Sequence, residues 1–189
     1  MLNIDLGGAK HKRTINGLWK IMDINPKADY VYNINSKKPI PLKDNSVDNY
    51  YVSMTMEHIF PSLQLFVLSE LKRTLKPGGL IRIIVPDSEI GIKWYLKEPK
   101  KLKQKGLPSK TWFLSWDEYR KIIGVIFTED RKKTSGHKNM FYMETMKWLL
   151  SKAGFKNIKR LEYNKCSPIF NGKDYERYRD YSIYVEVTK

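Results

Sequence analysis

The spacing of apolar residues changes period along the chain, and the changes mark out its elements. Leu2 to Leu6 is a short apolar run closed by Gly7-Gly8, and Leu18 to Ile24 is a second, closed by the turn pair Asn25-Pro26. Tyr30 to Ile34 reads as a third strand. After the polar Lys43-Asp44-Asn45-Ser46, Val47 to Met54 reads as a fourth, rich in residues that suit a buried pleated surface. From Pro61, a residue suited to a first helical turn, Leu68, Leu71 and Leu75 recur at i, i+3 and i+7 and predict one buried helical face. Lys76-Pro77-Gly78-Gly79 ends that helix. Leu80 to Val85 is then almost continuously apolar, as in a strand of a parallel sheet covered on both faces.

Towards the C-terminus Met146, Leu149, Leu150 and Ala153 share one helical face and predict a helix from about Tyr142 to Ala153. Gly154 stands where a helix C-cap glycine belongs. Phe155 to Tyr163 and Ser182 to Thr188 alternate, with Ile183, Val185 and Val187 on one face, predicting an antiparallel hairpin at the edge of the parallel sheet. Residues 91 to 135 break the pattern. Lys97, Lys100, Lys101, Lys103 and Lys105 mix there with Trp94, Tyr95, Trp112, Phe113, Trp116 and Tyr119. Such a long segment reads as an insertion, either a lid or substrate-side loop or surface elaboration. Ser115-Trp116-Asp117-Glu118 is a capping-box signal ahead of a helix over Tyr119 to Ile126.

Composition bounds the picture. With 189 residues and no internal repeat or low-complexity linker, the chain is expected to form a single domain over 1–189. Its 41% apolar content excludes a disordered chain. No run approaches the roughly 20 apolar residues of a spanning helix, and MLNIDLGG has no charged leader or cleavage site, so no membrane span and a cytoplasmic location are expected. Cys166 is the sole cysteine, which excludes an internal disulfide and a CxxC site. The net charge of +15 allows two readings, an anionic partner such as nucleic acid, or an AT-rich coding bias with no functional consequence.

Four segments taken in order carry a resemblance: LNIDLGGA, KIMDINP, PIPLKDNSVDNYYVSMTMEHI and ELKRTLKPGGLIRIIVPD, with GHKNMFY before the last helix. Together they resemble the class I S-adenosylmethionine-dependent methyltransferases, in particular small members with a minimal N-terminus. The resemblance covers nearly the whole chain, most specifically residues 2 to 87 and 136 to 155. It implies an α/β fold with a Rossmann-like, mostly parallel sheet, helices on both faces and a C-terminal antiparallel hairpin. It also implies S-adenosylmethionine as cofactor, S-adenosylhomocysteine as product and no metal. Since the chain starts a residue before its first strand, residues 91 to 135 are expected to supply the lid that relatives build from upstream helices.

The resemblance assigns the site residue by residue. Asp5, Gly7 and Gly8 match the start of the cofactor loop, where a glycine turn lets backbone approach the ligand. The loop departs from the family at Ala9, where a second glycine is expected, and at His11, where a third is. Asp23, with Ile24 beside it, matches the acid that holds ribose hydroxyls; the alternative is a strand-end Asp opening the Asn25-Pro26 turn. Asn33 stands where an adenine contact falls and Ile34 where a side chain packs on the ring, or the pair is an ordinary strand end. Ser53 and Met54 close the fourth strand as pocket residues. Glu57-His58 matches the EHI pattern, with the histidine read as a packing or capping residue ahead of a base. His137 is the first candidate for a general base, followed by Asp87 and Tyr142; a turn and a core position are the competing readings of the last two.

Three functions stay open at this point. A methyltransferase acting on a small molecule or glycan precursor is favoured. One acting on nucleic acid or protein is supported by charge but lacks an N/D-P-P-Y/F/W tetrapeptide. A non-catalytic binding or scaffold member is suggested by Ala9 and His11. A dinucleotide dehydrogenase fits less well, because no full G-x-G-x-x-G occurs. The oligomeric state is not legible.

Overall fold

The computed structural model describes residues 1–8, 18–97 and 137–189. Ala9, His11, the 115–126 helix and most of the expected insertion lie outside these residues. The elements run β1 Asn3–Leu6, β2 Trp19–Asp23, β3 Tyr30–Val31, β4 Val47–Ser53, α1 Gln64–Thr74, β5 Leu75–Pro86, α2 Ser88–Lys97, α3 Met143–Lys152, β6 Lys156–Leu161 and β7 Ser182–Thr188. The strands form one seven-stranded sheet in the order β3-β2-β1-β4-β5-β7-β6. β3, β2, β1, β4 and β5 are parallel neighbours, whereas β7 is antiparallel to both β5 and β6. The fold is therefore the Rossmann-like sheet expected, with the hairpin at its edge. Strand order reverses between β1 and β4, which opens a crevice at their carboxyl ends.

Period-two alternation sorts the side chains onto the two faces. Ile4, Leu6, Tyr50, Val52, Ile81, Ile83, Val85, Ile183, Val185 and Val187 fall in one core with Val67, Leu68 and Leu71 of α1 and Met146, Leu149 and Leu150 of α3. Trp19, Tyr51, Ile84 and Tyr184 pack with Phe170 in a second cluster on the opposite side. Among the described residues that side is covered by the irregular stretch between β6 and β7, not by a long helix. Gly154, at φ 80°, terminates α3 as expected.

Three elements differ from the sequence expectation. β3 stops after Val31 instead of reaching Ile34, because the Asn33 side chain accepts the Asn35 N–H and turns the chain. β5 begins at Leu75: Val47 pairs with Leu75 and Asn49 with Leu80, so Lys76 to Gly79 bulge out of a ladder that continues on either side. β7 is buried on both faces, not one. Its polar-looking positions meet a buried network, in which Arg82 donates to Asp174 Oδ1 at 2.9 Å, Asp174 Oδ2 at 2.5 Å and Glu186 Oε1 at 3.1 Å.

Candidate active site

β1 ends in the turn that opens the crevice. Gly7 has φ 82°, and a Cβ there would lie 2.2 Å from Thr55 Oγ1. Thr55 itself donates to the Leu6 carbonyl at 3.0 Å, so the β1 turn and the end of β4 are held in direct contact. A Cβ on Gly8 would lie 2.6 Å from Asp5 Oδ1. Both glycines are thus required by close backbone approach. The Asp5 carboxylate, just behind the turn, accepts from the buried Lys173 ammonium at 2.7 Å. That ammonium also sits 4.3 Å from the Trp19 ring centroid and 4.7 Å from that of Tyr51.

At the carboxyl end of β2, Asp23 Oδ1 accepts the Asn25 N–H at 2.8 Å, the turn-opening role that was the alternative to ribose binding. The two roles are compatible, since an ionised carboxylate has roughly four lone-pair sites. Ile24 next to it is exposed, and Ile34 is partly buried against the main core. Asn33 Oδ1 accepts from Asn35 N–H, and Asn35 in turn donates to the His58 carbonyl at 3.0 Å and accepts from Phe60 N–H at 2.9 Å. Asn35 therefore ties the loop after β3 to the segment after β4; nothing in its local pattern signals this.

β4 delivers the chain into the centre of the site. Ser53 Oγ is buried without a hydrogen-bond partner. Met54 follows in the left-handed region at φ 50°, an uncommon backbone for a bulky residue and one associated with functional turns. A short 3₁₀ turn, Met56–His58, then places Glu57 and His58. The Glu57 carbonyl accepts the N–H groups of Lys138 at 2.7 Å and Asn139 at 3.2 Å, and Asn139 Nδ2 donates to the Ile59 carbonyl. These bonds draw in His137, which stands 80 positions after Glu57. His137 Nε2 comes within 3.7 Å of Glu57 Oε1, and His58 Nε2 within 4.0 Å. Burial pushes the Glu57 carboxyl up to about 8, and burial followed by the neighbouring His58 holds His137 down to about 2. Near pH 7 the contact therefore joins a mostly protonated carboxyl and a neutral imidazole. Met54, Glu57, His58, Pro86, Tyr178 and Tyr181 line a cleft beside this cluster.

The other two candidate bases lie in different settings. Asp87 is buried, accepts the Glu89 N–H at 3.0 Å at the start of α2 and faces Arg160 at 3.2 Å. Tyr142 is the half-exposed residue preceding α3. Neither lines the cleft, whereas Tyr178 and Tyr181 do and were not singled out from the sequence. No local periodicity marks those tyrosines, which arrive on an irregular segment.

Residues 22–83, from β2 into β5, match the family described as "Methyltransferase domain". The whole chain aligns with a SAM-dependent methyltransferase from Archaeoglobus fulgidus at 17% identity and TM-score 0.59, covering 100% of this chain and 86% of that one. The chain has the fold of the S-adenosylmethionine-dependent methyltransferases. A SAM-dependent methyltransferase from Thermotoga maritima matches at 17% identity and TM-score 0.58, over 99% of this chain and 81% of its own. The Burkholderia thailandensis 1,6-didemethyltoxoflavin-N1-methyltransferase, solved with S-adenosylhomocysteine, matches at 9% identity and TM-score 0.55, over 100% of this chain and 70% of its own. At these identities the likeness to solved structures is one of fold. No curated protein sequence gives a significant match.

The crevice has features that fit S-adenosylmethionine. The Gly7-Gly8 turn leaves backbone without side chains at the end of β1, and Ser53 offers a buried hydroxyl with no protein partner at the end of β4. Among the described residues no helix is long and apolar enough to cross a membrane.

Proposed function

We propose that the enzyme methylates a small-molecule or glycan-precursor acceptor held in the cleft of Met54, Glu57, His58, Pro86, Tyr178 and Tyr181. The observation that carries this reading is the composition of that cleft: two tyrosines and a methionine form walls, and a buried carboxyl and an imidazole supply polar groups at one end. Apolar walls with a few convergent polar groups suit a compact acceptor bearing a hydroxyl or amine. In the crevice next to it, the backbone at Gly7 and Gly8, the Asp23 carboxylate, Ile24, Asn33, Ile34, Ser53 and Met54 would hold S-adenosylmethionine. When bound, that cofactor supplies an electrophilic sulfonium methyl.

The chain's own residues then have two tasks. Met54 and the tyrosines orient the nucleophile and keep water out, which accounts for most of what an in-line displacement asks of a protein. A hydroxyl or ammonium acceptor also has to lose a proton, and His137 is the group proposed to receive it. This requires Glu57 to be ionised beside it when the acceptor is bound, since burial otherwise makes this imidazole a weak base. Asp87 and Tyr142 lie further along the chain's path and are proposed for support of α2 and α3.

The test is transfer of labelled methyl from S-adenosylmethionine to panels of small hydroxylated and aminated acceptors, run beside RNA and protein panels. Labelling confined to RNA or protein would refute the small-acceptor reading. The net charge of +15 favours the nucleic-acid alternative. That alternative requires RNA binding that weakens steeply as salt rises.

A further inference from the structure

Among the described residues the buried charged side chains are matched to partners, with one exception. Arg82, Asp174 and Glu186 satisfy one another, and Lys173 meets Asp5. Glu57 is 1% exposed, and neither of its carboxylate oxygens has a hydrogen-bond partner in another residue. A buried carboxyl left in that state costs free energy, so it requires an explanation.

The explanation lies in what surrounds it. One donor atom each from Glu57, His58 and His137 falls within 4.8 Å of the others, and the two imidazole rings meet edge to face with centroids 4.7 Å apart. The cluster is assembled by backbone: the Met56–His58 turn presents two of the groups, and the Lys138 and Asn139 N–H bonds to the Glu57 carbonyl bring in the third. Two imidazoles and a carboxylate are the donor set of open zinc sites, whereas magnesium and calcium select oxygen. Around a tetrahedral zinc ion with bonds of about 2.0–2.2 Å, donor atoms lie roughly 3.3–3.5 Å apart. The carboxylate to imidazole separations are 3.7 and 4.0 Å and all three donors lie within 4.8 Å of one another, so binding requires each pair to close by at most about 1.5 Å.

We propose that Glu57, His58 and His137 bind one divalent cation of the zinc type, with an open coordination position towards the cleft of Met54, Pro86, Tyr178 and Tyr181. The cation takes the lone pairs that the protein leaves unmatched on Glu57. If the methyltransferase reading also holds, an acceptor oxygen occupying the open position loses its proton more readily, as water does on zinc. The binding claim stands without that step.

The experiment uses the full chain, stripped with EDTA and titrated with zinc sulfate alone against a chromogenic competitor, without S-adenosylmethionine. The expected result is one equivalent bound, with affinity lowered at least roughly tenfold in Glu57→Gln and in His137→Ala. Cys166→Ser is expected to keep full affinity, which separates this site from the one thiol of the chain. Cobalt substitution of the unmodified protein gives a visible spectrum of low-coordinate N/O ligation, a readout that needs no variant to fold. Absence of stoichiometric binding, loss of it in Cys166→Ser, or retention of it in Glu57→Gln overturns the proposal. Methyl transfer that persists after stripping leaves the enzyme reading intact while removing the acceptor step, so the two fail separately.

Discussion

Lys173 donates to the carboxylate of Asp5 across a sequence separation of 168, with the ammonium wholly buried between the rings of Trp19 and Tyr51. The pair fixes the strand that carries the Gly7-Gly8 turn to the segment covering the opposite face of the sheet. Replacing Lys173 by Met keeps the stem and removes the charge opposite a buried carboxylate, which is expected to cost about 3 kcal/mol. Asp5→Asn combined with Lys173→Met should recover much of that loss. Urea unfolding of the three variants gives the coupling directly.

Asp23 carries the strongest expectation for cofactor affinity. Removing hydrogen bonds to a charged group typically costs about 1.5–3 kcal/mol, so Asp23→Ala should bind S-adenosylhomocysteine roughly tenfold to a hundredfold more weakly. Calorimetric titration measures this. Equal affinity in wild type and variant would falsify the ribose assignment, leaving Asp23 as the residue that opens the Asn25 turn.

Gly7 allows a sharper steric test. An alanine there meets Thr55 Oγ1 and also has to adopt φ 82°. Gly7→Ala is expected to destabilise by about 2 kcal/mol or more, from strain and overpacking together. Adding Thr55→Ala relieves the contact but not the backbone strain, so the double variant should regain only part of the loss in thermal unfolding.

The pH dependence of stability should show the Glu70–Arg73 pair. Arg73 donates to both Glu70 oxygens, at 2.8 and 2.6 Å, while the Ile40 N–H donates to one of them at 2.8 Å. The hydrogen bond from Arg73, ahead of that from Ile40, holds the Glu70 carboxyl below its usual value despite partial burial. The folded state therefore binds this proton less readily than the unfolded chain. Its contribution is fully present above the unfolded value of about 4.3 and is lost as pH falls through the lower folded value. Wild type should lose more stability than Glu70→Gln between neutral pH and about pH 3, measured by denaturant midpoint at each pH.

β1 and β2 were legible because each is a short apolar run ending in a turn pair, β4 and β5 because of their β-rich or continuously apolar runs, and α3 because its apolar face and Gly154 agree. What escaped the sequence depends on distant partners. Glu186 alternates with apolar neighbours and reads as a solvent position, yet Arg82 from the adjacent strand takes it into the interior. Asn33 belongs to a strand-like run, but its side chain ends the strand by competing for the Asn35 N–H. In the site, the EHI motif made Glu57 and His58 visible, and the GHKNMFY segment did the same for His137. Their convergence on one cleft arises from the Glu57 carbonyl receiving Lys138 and Asn139, which no spacing rule encodes.

The Arg82 network also orders the events of folding. Arg82 lies on β5 in the middle of the sheet, and its two acidic partners come 92 and 104 residues later. A nascent chain that has emerged only as far as α3 can pair its parallel strands yet has a guanidinium with no anion to meet, and Asp5 still lacks Lys173. Both gaps close when the same short stretch, Lys173 and Asp174, docks. The parallel half of the sheet thus waits on its most distant contacts, as expected of a high-contact-order topology, and a ribosome stalled before residue 173 would hold a sheet whose central charges are still hydrated.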